Sequence, residues 1–284
     1  LVDIAIGSDT GGSVRIPAAF NGVTGFKPTQ ARVSRDGAFA LSYTLDALGP
    51  LARTVADCAA ADATMAGATP QPLPQRSLRG LRIGLPQGLP WTDCSDEVLA
   101  QTDNAIAVLQ AQGAAIRKLP WQDLMAAPAQ LQSEGTLIAA EAAAIHQQAL
   151  VSARDAFDPR VLSRMDKGRA LSAPYYIQLL QQRQQWMAQM DAAMQEVDLL
   201  LLPTIAITAP RIAPLLDDDS AFFAANALIL RNTSIFNFYD LPAISLPLPR
   251  SARSLPVGLM LVGARMQDAH LLALAAAAEQ ALAQ

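Results

Sequence analysis

With 284 residues, 51% of them hydrophobic and 16% charged, the chain is long enough to bury a substantial core, as one large domain or two modest ones. A formal net charge of −4, with only Lys27, Lys118 and Lys167 as lysines, argues against the basic surface of a phosphate-backbone binder. The apolar stretches are cut by Pro, Gly or charge before the roughly 20 residues of a membrane span, and the start lacks the basic region of a signal peptide. A cytoplasmic protein that binds neither nucleic acid nor membrane is expected.

In chain order, Leu1 to Ile6 is apolar and β-prone. A strand that opens at the first residue, without lead-in or cap, predicts that the chain is part of a longer protein. A helix is expected from Thr54 to Met65, and Pro70-Gln71-Pro72-Leu73-Pro74 reads as a surface connector. Residues 81 to 119 read as strand, helix, strand. Leu81 to Leu85 ends at Pro86, Ser95 stands at a helix N-cap before Asp96 and Glu97, and Val98, Ile106 and Leu109 keep a helical stripe. Gly113 then stops the helix and Ala115 to Leu119 returns as a strand. Such a βαβ unit implies parallel pairing and α/β architecture. Further helices are expected over Glu134 to Val151, Ser172 to Glu196 and Asp268 to Leu282. Strands are expected over Val197 to Leu202, Ala243 to Leu248 and Val257 to Val262, whose unbroken apolar character suits burial on both faces. Asp217-Asp218-Asp219 is a solvated loop or a helix start.

The chemistry concentrates in Gly7-Ser8-Asp9-Thr10-Gly11-Gly12-Ser13-Val14-Arg15-Ile16-Pro17. Glycines let successive backbone N–H groups converge, because no Cβ blocks the approach. A phosphate loop is disfavoured, since no Lys-Ser/Thr follows the last glycine and Asp9 would repel the anion. The G-x-S-x-G elbow of α/β-hydrolases is also absent. An oxyanion cradle with Ser13 at its lip remains. Equally open on this segment alone is a strand-to-helix turn in which Ser13 merely caps the helix.

Asp9 to Ala18, continuing into Gly22-Val23-Thr24-Gly25-Phe26-Lys27-Pro28-Thr29, resembles the defining stretch of the amidase signature family. The chain is similar to that family again at Leu45-Asp46, Gly49 to Val55, Asp198 to Thr204, Asn232-Thr233-Ser234, Pro242 to Pro247 and Leu255 to Leu259. The resemblance implies an α/β/α sandwich around a mixed, largely parallel central sheet. Residues 1–284 would form one amidase signature domain without its N-terminal portion. It implies amide hydrolysis through an acyl-enzyme, with release of ammonia or an amine from a small-molecule amide. Ser13 matches the acylated serine, and the backbone amides of Thr10, Gly11, Gly12 and Ser13 match the oxyanion hole. Asp9 and Arg15 match a buried pair that shapes the loop. The family's general-base lysine and the bridging serine, held by a cis peptide bond, lie upstream of the nucleophile. Only twelve residues precede Ser13, so neither is in this sequence, and Ser8 is too close to match the bridging serine.

No cofactor or metal is implied: there is no H-E-x-x-H and no clustered Cys and His. Cys58 and Cys94 lack redox or ligand spacing and are expected as free thiols. His146 and His270 read as helix residues rather than as bases. By the resemblance Lys27 is structural, tying down the glycine loop, and Asn232 to Ser234 lie near the substrate cleft. Tyr175, Tyr176 and Trp186 read as core or groove-wall residues. A second reading is the amidase-like component of a tRNA-dependent amidotransferase. Such components usually carry Gln where this chain has Ile16 and Gly where it has Ala31, which favours the hydrolase. A third is an inactive truncated homologue, and a homodimer stays open.

Overall fold

A computed structural model of the chain describes residues 2–250 and 254–283. Strand β1 (Ile4–Asp9) leads into helix α1 (Arg15–Asn21) and strands β2 (Thr24–Lys27) and β3 (Ala47–Ala52). Helix α2 (Val55–Met65) precedes β4 (Arg82–Pro86), α3 (Asp96–Ala111) and β5 (Ala115–Leu119). A helical stretch follows as α4 (Gln122–Leu131), α5 (Leu137–Ile145), α6 (Gln147–Ser152), α7 (Pro159–Arg169) and α8 (Ala173–Ala193). The chain closes with β6 (Leu199–Pro203), α9 (Ile212–Asp217), α10 (Asp219–Phe238), β7 (Ala243–Pro247), β8 (Gly258–Val262) and α11 (Asp268–Leu282).

The strands form one 8-stranded mixed sheet in the order β1-β3-β2-β7-β8-β6-β4-β5. The βαβ unit pairs in parallel as expected, Arg82 opposite Ala115 through Pro86 opposite Leu119, and β6 joins β4 in parallel. The remaining ladders are antiparallel, which corrects the expectation of a largely parallel sheet. Parallel pairing is confined to β6, β4 and β5. Strand β1 pairs with β3, and β2 with β7, across long stretches of chain that no local pattern announces. Strands β7 and β8, in contrast, follow one another with no helix between them among the described residues, as antiparallel neighbours do.

Both faces of the sheet are covered because the side chains of a strand alternate. In β6, Leu199 and Leu201 enter the core beneath α2, α3 and α11, packing with Val55, Leu109 and Leu271. Leu200 and Leu202 enter the opposite core with Met125 of α4, Met190 of α8 and Phe236 of α10. The result is a three-layer α/β/α sandwich. Burying a leucine of this kind contributes roughly 1.5–3 kcal/mol, which makes β6 the apolar spine of the chain.

Local details depart from the sequence reading in instructive ways. The expected strand start at Leu1 lies outside the described residues, and β1 runs on to Asp9 because Gly7, Ser8 and Asp9 pair with Gly49, Leu48 and Ala47 of β3. Ser95 occupies the N-cap of α3, yet its hydroxyl makes no capping bond and is buried without a partner among the described residues. The single helix expected over 134–151 starts later, where the Thr136 hydroxyl accepts from the Ala139 N–H, and breaks at His146 into α5 and α6. Helix α10 takes the second of the two readings of the acidic triplet, a helix start, although its length was not foreseen. It begins at the acidic triplet, where the Asp218 carboxylate accepts from the N–H groups of Ser220 and Ala221.

Candidate active site

Strand β1 ends at Asp9, and the chain turns through residues 10–14 before entering α1 at Arg15. The turn is stapled from below. Asp9 Oδ2 accepts from the N–H groups of Val14 (3.2 Å) and Arg15 (3.3 Å) and from Arg15 Nε (3.1 Å). Asp9 Oδ1 accepts from Arg15 Nη2 (2.9 Å) and Asn237 Nδ2 (2.9 Å). Asn237, on α10, closes the ring, accepting from Arg15 Nη2 at 2.6 Å and donating to the Asp9 carbonyl at 2.9 Å. Asp9 and Arg15 are fully buried. Burial alone would raise the Asp9 pKa, but the Arg15 guanidinium, the Asn237 amide and the charge of Lys27 hold it at about 2. The carboxylate is therefore ionised at neutral pH and keeps all its acceptor capacity.

The upper side of the turn is shaped by α10 and by the loop before β3. Gly12 has φ +136°, and a Cβ there would lie 2.2 Å from Thr233 Oγ1 and 2.6 Å from Ile16 Cδ1, so only glycine fits. Thr233 Oγ1 in turn donates to the Gly11 carbonyl at 2.7 Å. Thr10 Oγ1 donates to Asp46 Oδ1 at 2.6 Å, and Asp46 Oδ2 accepts from the N–H groups of Leu41 and Ser42. Helix α1 sits hard on β2, where a Cβ on Gly25 would lie 2.5 Å from that of Ala18. Among the described residues, none accepts a hydrogen bond from the backbone N–H groups of Thr10, Gly11, Gly12 or Ser13. Ser13 itself is exposed at the outer end of the turn. The arrangement offers a rigid run of backbone donors beside an accessible hydroxyl.

The other residues singled out in the sequence are spread over the fold. Lys27 is buried on β2 and donates to the Pro28 carbonyl at 2.7 Å, with no bond to Ser13. Burial and the nearby Arg15 charge push its pKa down to about 8, against the pull of Asp240, Asp9 and Asp268. His146 bonds the Ala40 carbonyl and stacks on Phe39, and His270 is exposed on α11, across the sheet from α10. Cys58 is buried, with its thiol pushed up to about 12 by desolvation, and Cys94 is half-buried; both are free thiols. Tyr175 and Tyr176 spend their hydroxyls on the Leu131 and Gly135 carbonyls and on Glu141 respectively. Asn232 donates to the carbonyls of Pro90 and Pro203, joining α10 to the end of β6. Two residues the sequence did not single out, Asn237 and Glu141, hold the site's surroundings. Asn237 meets Asp9 across 228 positions, and nothing local marks it. Among the described residues no helix is long and apolar enough to cross a membrane, and no three His, Cys, Asp or Glu side chains are grouped as a metal ion requires.

The family model described as Amidase matches residues 1–272. The chain belongs to the amidase family. It is 33% identical to the 2-amino-5-chloromuconic acid deaminase of Comamonas testosteroni over 99% of this chain and 61% of that protein. It is 34% identical to a glutamyl-tRNA(Gln) amidotransferase subunit of Synechococcus sp. (strain RCC307), over 98% of this chain and 64% of the relative. A solved structure of 6-aminohexanoate cyclic dimer hydrolase complexed with substrate superposes with a TM-score of 0.84 at 26% identity, covering 99% of this chain and 65% of that one. The chain thus spans less than two thirds of the length of these family members.

Proposed function

We propose that residues 1–284 are the nucleophile-bearing part of one amidase domain, whose whole protein hydrolyses the C–N bond of a small-molecule carboxamide in the cytoplasm. The observation that carries the reading is the turn itself: Ser13 stands exposed at the end of a glycine-rich run anchored below by Asp9, Arg15 and Asn237. In this reading Ser13 Oγ attacks the amide carbonyl and its proton passes to the base. The backbone N–H groups of Thr10, Gly11, Gly12 and Ser13 take the oxyanion. Collapse of the tetrahedral species breaks the C–N bond as the proton moves to the leaving nitrogen, and ammonia or an amine departs. Water then attacks the ester carbonyl, the bond to Ser13 Oγ breaks, the carboxylic acid departs and the Ser13 hydroxyl is restored. By the family resemblance the base is a lysine acting through a second serine, both outside these residues; the substrate of this proposal is a linear amide. Asp9 and Arg15 shape the turn without moving a proton.

The relatives named as components of an amidotransferase supply a second reading, in which ammonia is passed on within a complex rather than released. Full-length protein distinguishes the two: sustained amide hydrolysis by the isolated protein supports the hydrolase. Ser13→Ala is expected to lower turnover by about three to six orders of magnitude, as removal of a covalent nucleophile does. A fluorophosphonate probe should label wild type at Ser13. Labelling elsewhere, with full activity in Ser13→Ala, would overturn the assignment.

A further inference from the structure

We infer that Glu141 is a positioning residue, holding the 41–46 loop so that Asp46 fixes Thr10 and with it the first N–H of the cradle. The inference rests on the reading of Ser13 as the acylated serine. Glu141 lies on α5, 2% exposed, and both its oxygens are committed. Oε2 accepts from the Ser42 hydroxyl and from the Thr44 N–H at 3.1 Å. Oε1 accepts from Thr44 Oγ1 at 2.9 Å and from Tyr176 OH, on α8, at 2.7 Å. Four donors converging on one carboxylate fill its acceptor capacity without a cation among them. Two residues beyond Thr44 the loop presents Asp46, whose carboxylate takes the Leu41 and Ser42 N–H groups on one oxygen and the Thr10 hydroxyl on the other.

The path is contiguous: Tyr176, Glu141, Ser42 and Thr44, Asp46, Thr10. Ser42 is the shared joint, since its hydroxyl goes to Glu141 while its N–H goes to Asp46. Apolar packing supports the same placement, because Leu45 is buried with Leu137 of α5 and Leu179 of α8. One turn before Glu141 on the same helix, Ile138 approaches Gly11, its Cδ1 3.9 Å from where a Cβ would stand. Helix α5 therefore meets the turn both directly and through the loop. A buried carboxylate costs desolvation, and no step of the proposed reaction uses it. Placement of the donors gives that cost a return, because displacing a reacting group by about 1 Å can lower a rate about 100-fold.

The test uses the full-length enzyme with Glu141→Gln, Asp46→Asn and the double variant, assayed well below each unfolding midpoint. Gln is isosteric but replaces one acceptor oxygen by an N–H donor, which then faces other donors. Glu141→Gln is expected to lower both kcat and the rate of fluorophosphonate labelling at Ser13 by about 10- to 100-fold, with KM changed by less than about three-fold. The double variant should be no slower than the slower single variant, because both cut one chain. A folded Glu141→Gln enzyme with wild-type kcat and labelling rate, or fully multiplicative losses in the double variant, would overturn the inference. Should Glu141→Gln not fold, Thr44→Val removes one donor and is expected to slow labelling several-fold; wild-type labelling in that variant overturns it equally. A wild-type enzyme labelled elsewhere than Ser13 instead defeats the reading on which the inference stands.

Discussion

Two ends of the same sheet are held together by different chemistry. In the half built from β4, β5 and β6, with α3 laid across it, the interior is aliphatic: Ile83, Leu85, Leu109, Leu199 and Leu201 share one core. Its charges sit at the rim, where Arg82 meets Asp198 and Arg117 meets Glu196. At the other end, around β1, α1 and β2, the interior contains Asp9, Arg15, Lys27, Thr29, Asp46 and Asp268. Thr29 alone gives its N–H and hydroxyl to the two oxygens of Asp268, pinning β2 to the start of α11. Aliphatic packing tolerates repacking and makes stability, whereas buried polar groups demand specific partners and fix geometry. The proposed reaction needs fixed geometry, and it is placed where that chemistry is concentrated.

The largest expected effect breaks the polar end. Arg15→Leu leaves Asp9 buried beside Asn237 with no guanidinium, which is expected to cost about 3–5 kcal/mol of unfolding free energy. Urea denaturation measures the loss, and labelling at Ser13 in the folded fraction should fall with it. A variant as stable as wild type would show that the pair is dispensable. The matching change at the apolar end is Leu201→Ala, at a fully buried position. It is expected to cost about 2–5 kcal/mol through lost burial and the cavity left behind. Here kcat per folded molecule should stay within a few-fold, since no member of the turn moves. A collapse of kcat in Leu201→Ala would erase the distinction between the two ends.

The same contrast decides what the sequence disclosed. The apolar end was legible because period-two and helical patterns are local: the βαβ unit, Val257 to Val262 and the helix Asp268–Leu282 all stand where they were expected. The glycine turn was legible too, from Gly11-Gly12-Ser13 and the resemblance they carry. Of its supports, Asp9 and Arg15 were named through that resemblance, and Thr233 only as part of a stretch near the cleft; the bonds made from the helices were not legible. Asn237, Thr233 and Glu141 lie on helices whose hydrophobic patterning says nothing of the polar partner each will meet, and their partners in the turn and in the 41–46 loop are 97 to 228 positions away. The antiparallel joins of β1, β3, β2 and β7 were not legible for the same reason, because these strands meet across long stretches of sequence.

Lys27 sharpens the comparison through pH. Its ordinary pKa of 10.5 falls to about 8 in the folded chain. Below pH 8 the ammonium is present in both states, and the folded state bears the full cost of burying it. Between pH 8 and 10.5 the unfolded chain holds a proton the folded chain has lost, so stability rises with pH; above 10.5 the cost is gone. Lys27→Met removes the group and should therefore be the more stable chain at pH 7, by up to about 3 kcal/mol. Its advantage over wild type should shrink to nothing as pH climbs through that window. Unfolding measured on both chains from about pH 7 to about pH 10.5 checks this, and a difference that stays constant with pH refutes it. Saturated turnover of Lys27→Met should remain close to wild type if the base lies elsewhere.

The smallest expected effect comes from two ion pairs of equal length. Arg15 Nη2 to Asp9 Oδ1 and Arg117 Nη2 to Glu196 Oε2 both measure 2.9 Å, but the first pair is fully buried and the second is 55% and 54% exposed. Coulomb attraction at one distance scales inversely with the effective dielectric, so water removes most of the outer pair's energy. Two long side chains must also give up rotamer freedom to meet. Arg117→Ala is therefore expected to change stability by about 0–1 kcal/mol, against the several kcal/mol of Arg15→Leu. Raising salt from about 0.1 to about 1 M, which shortens the screening length from about 10 to about 3 Å, should erase what remains. The Arg15 effect should hardly respond, because ions do not reach it. Equal losses in the two variants, or equal salt sensitivity, would mean that burial does not separate the two ends of the sheet.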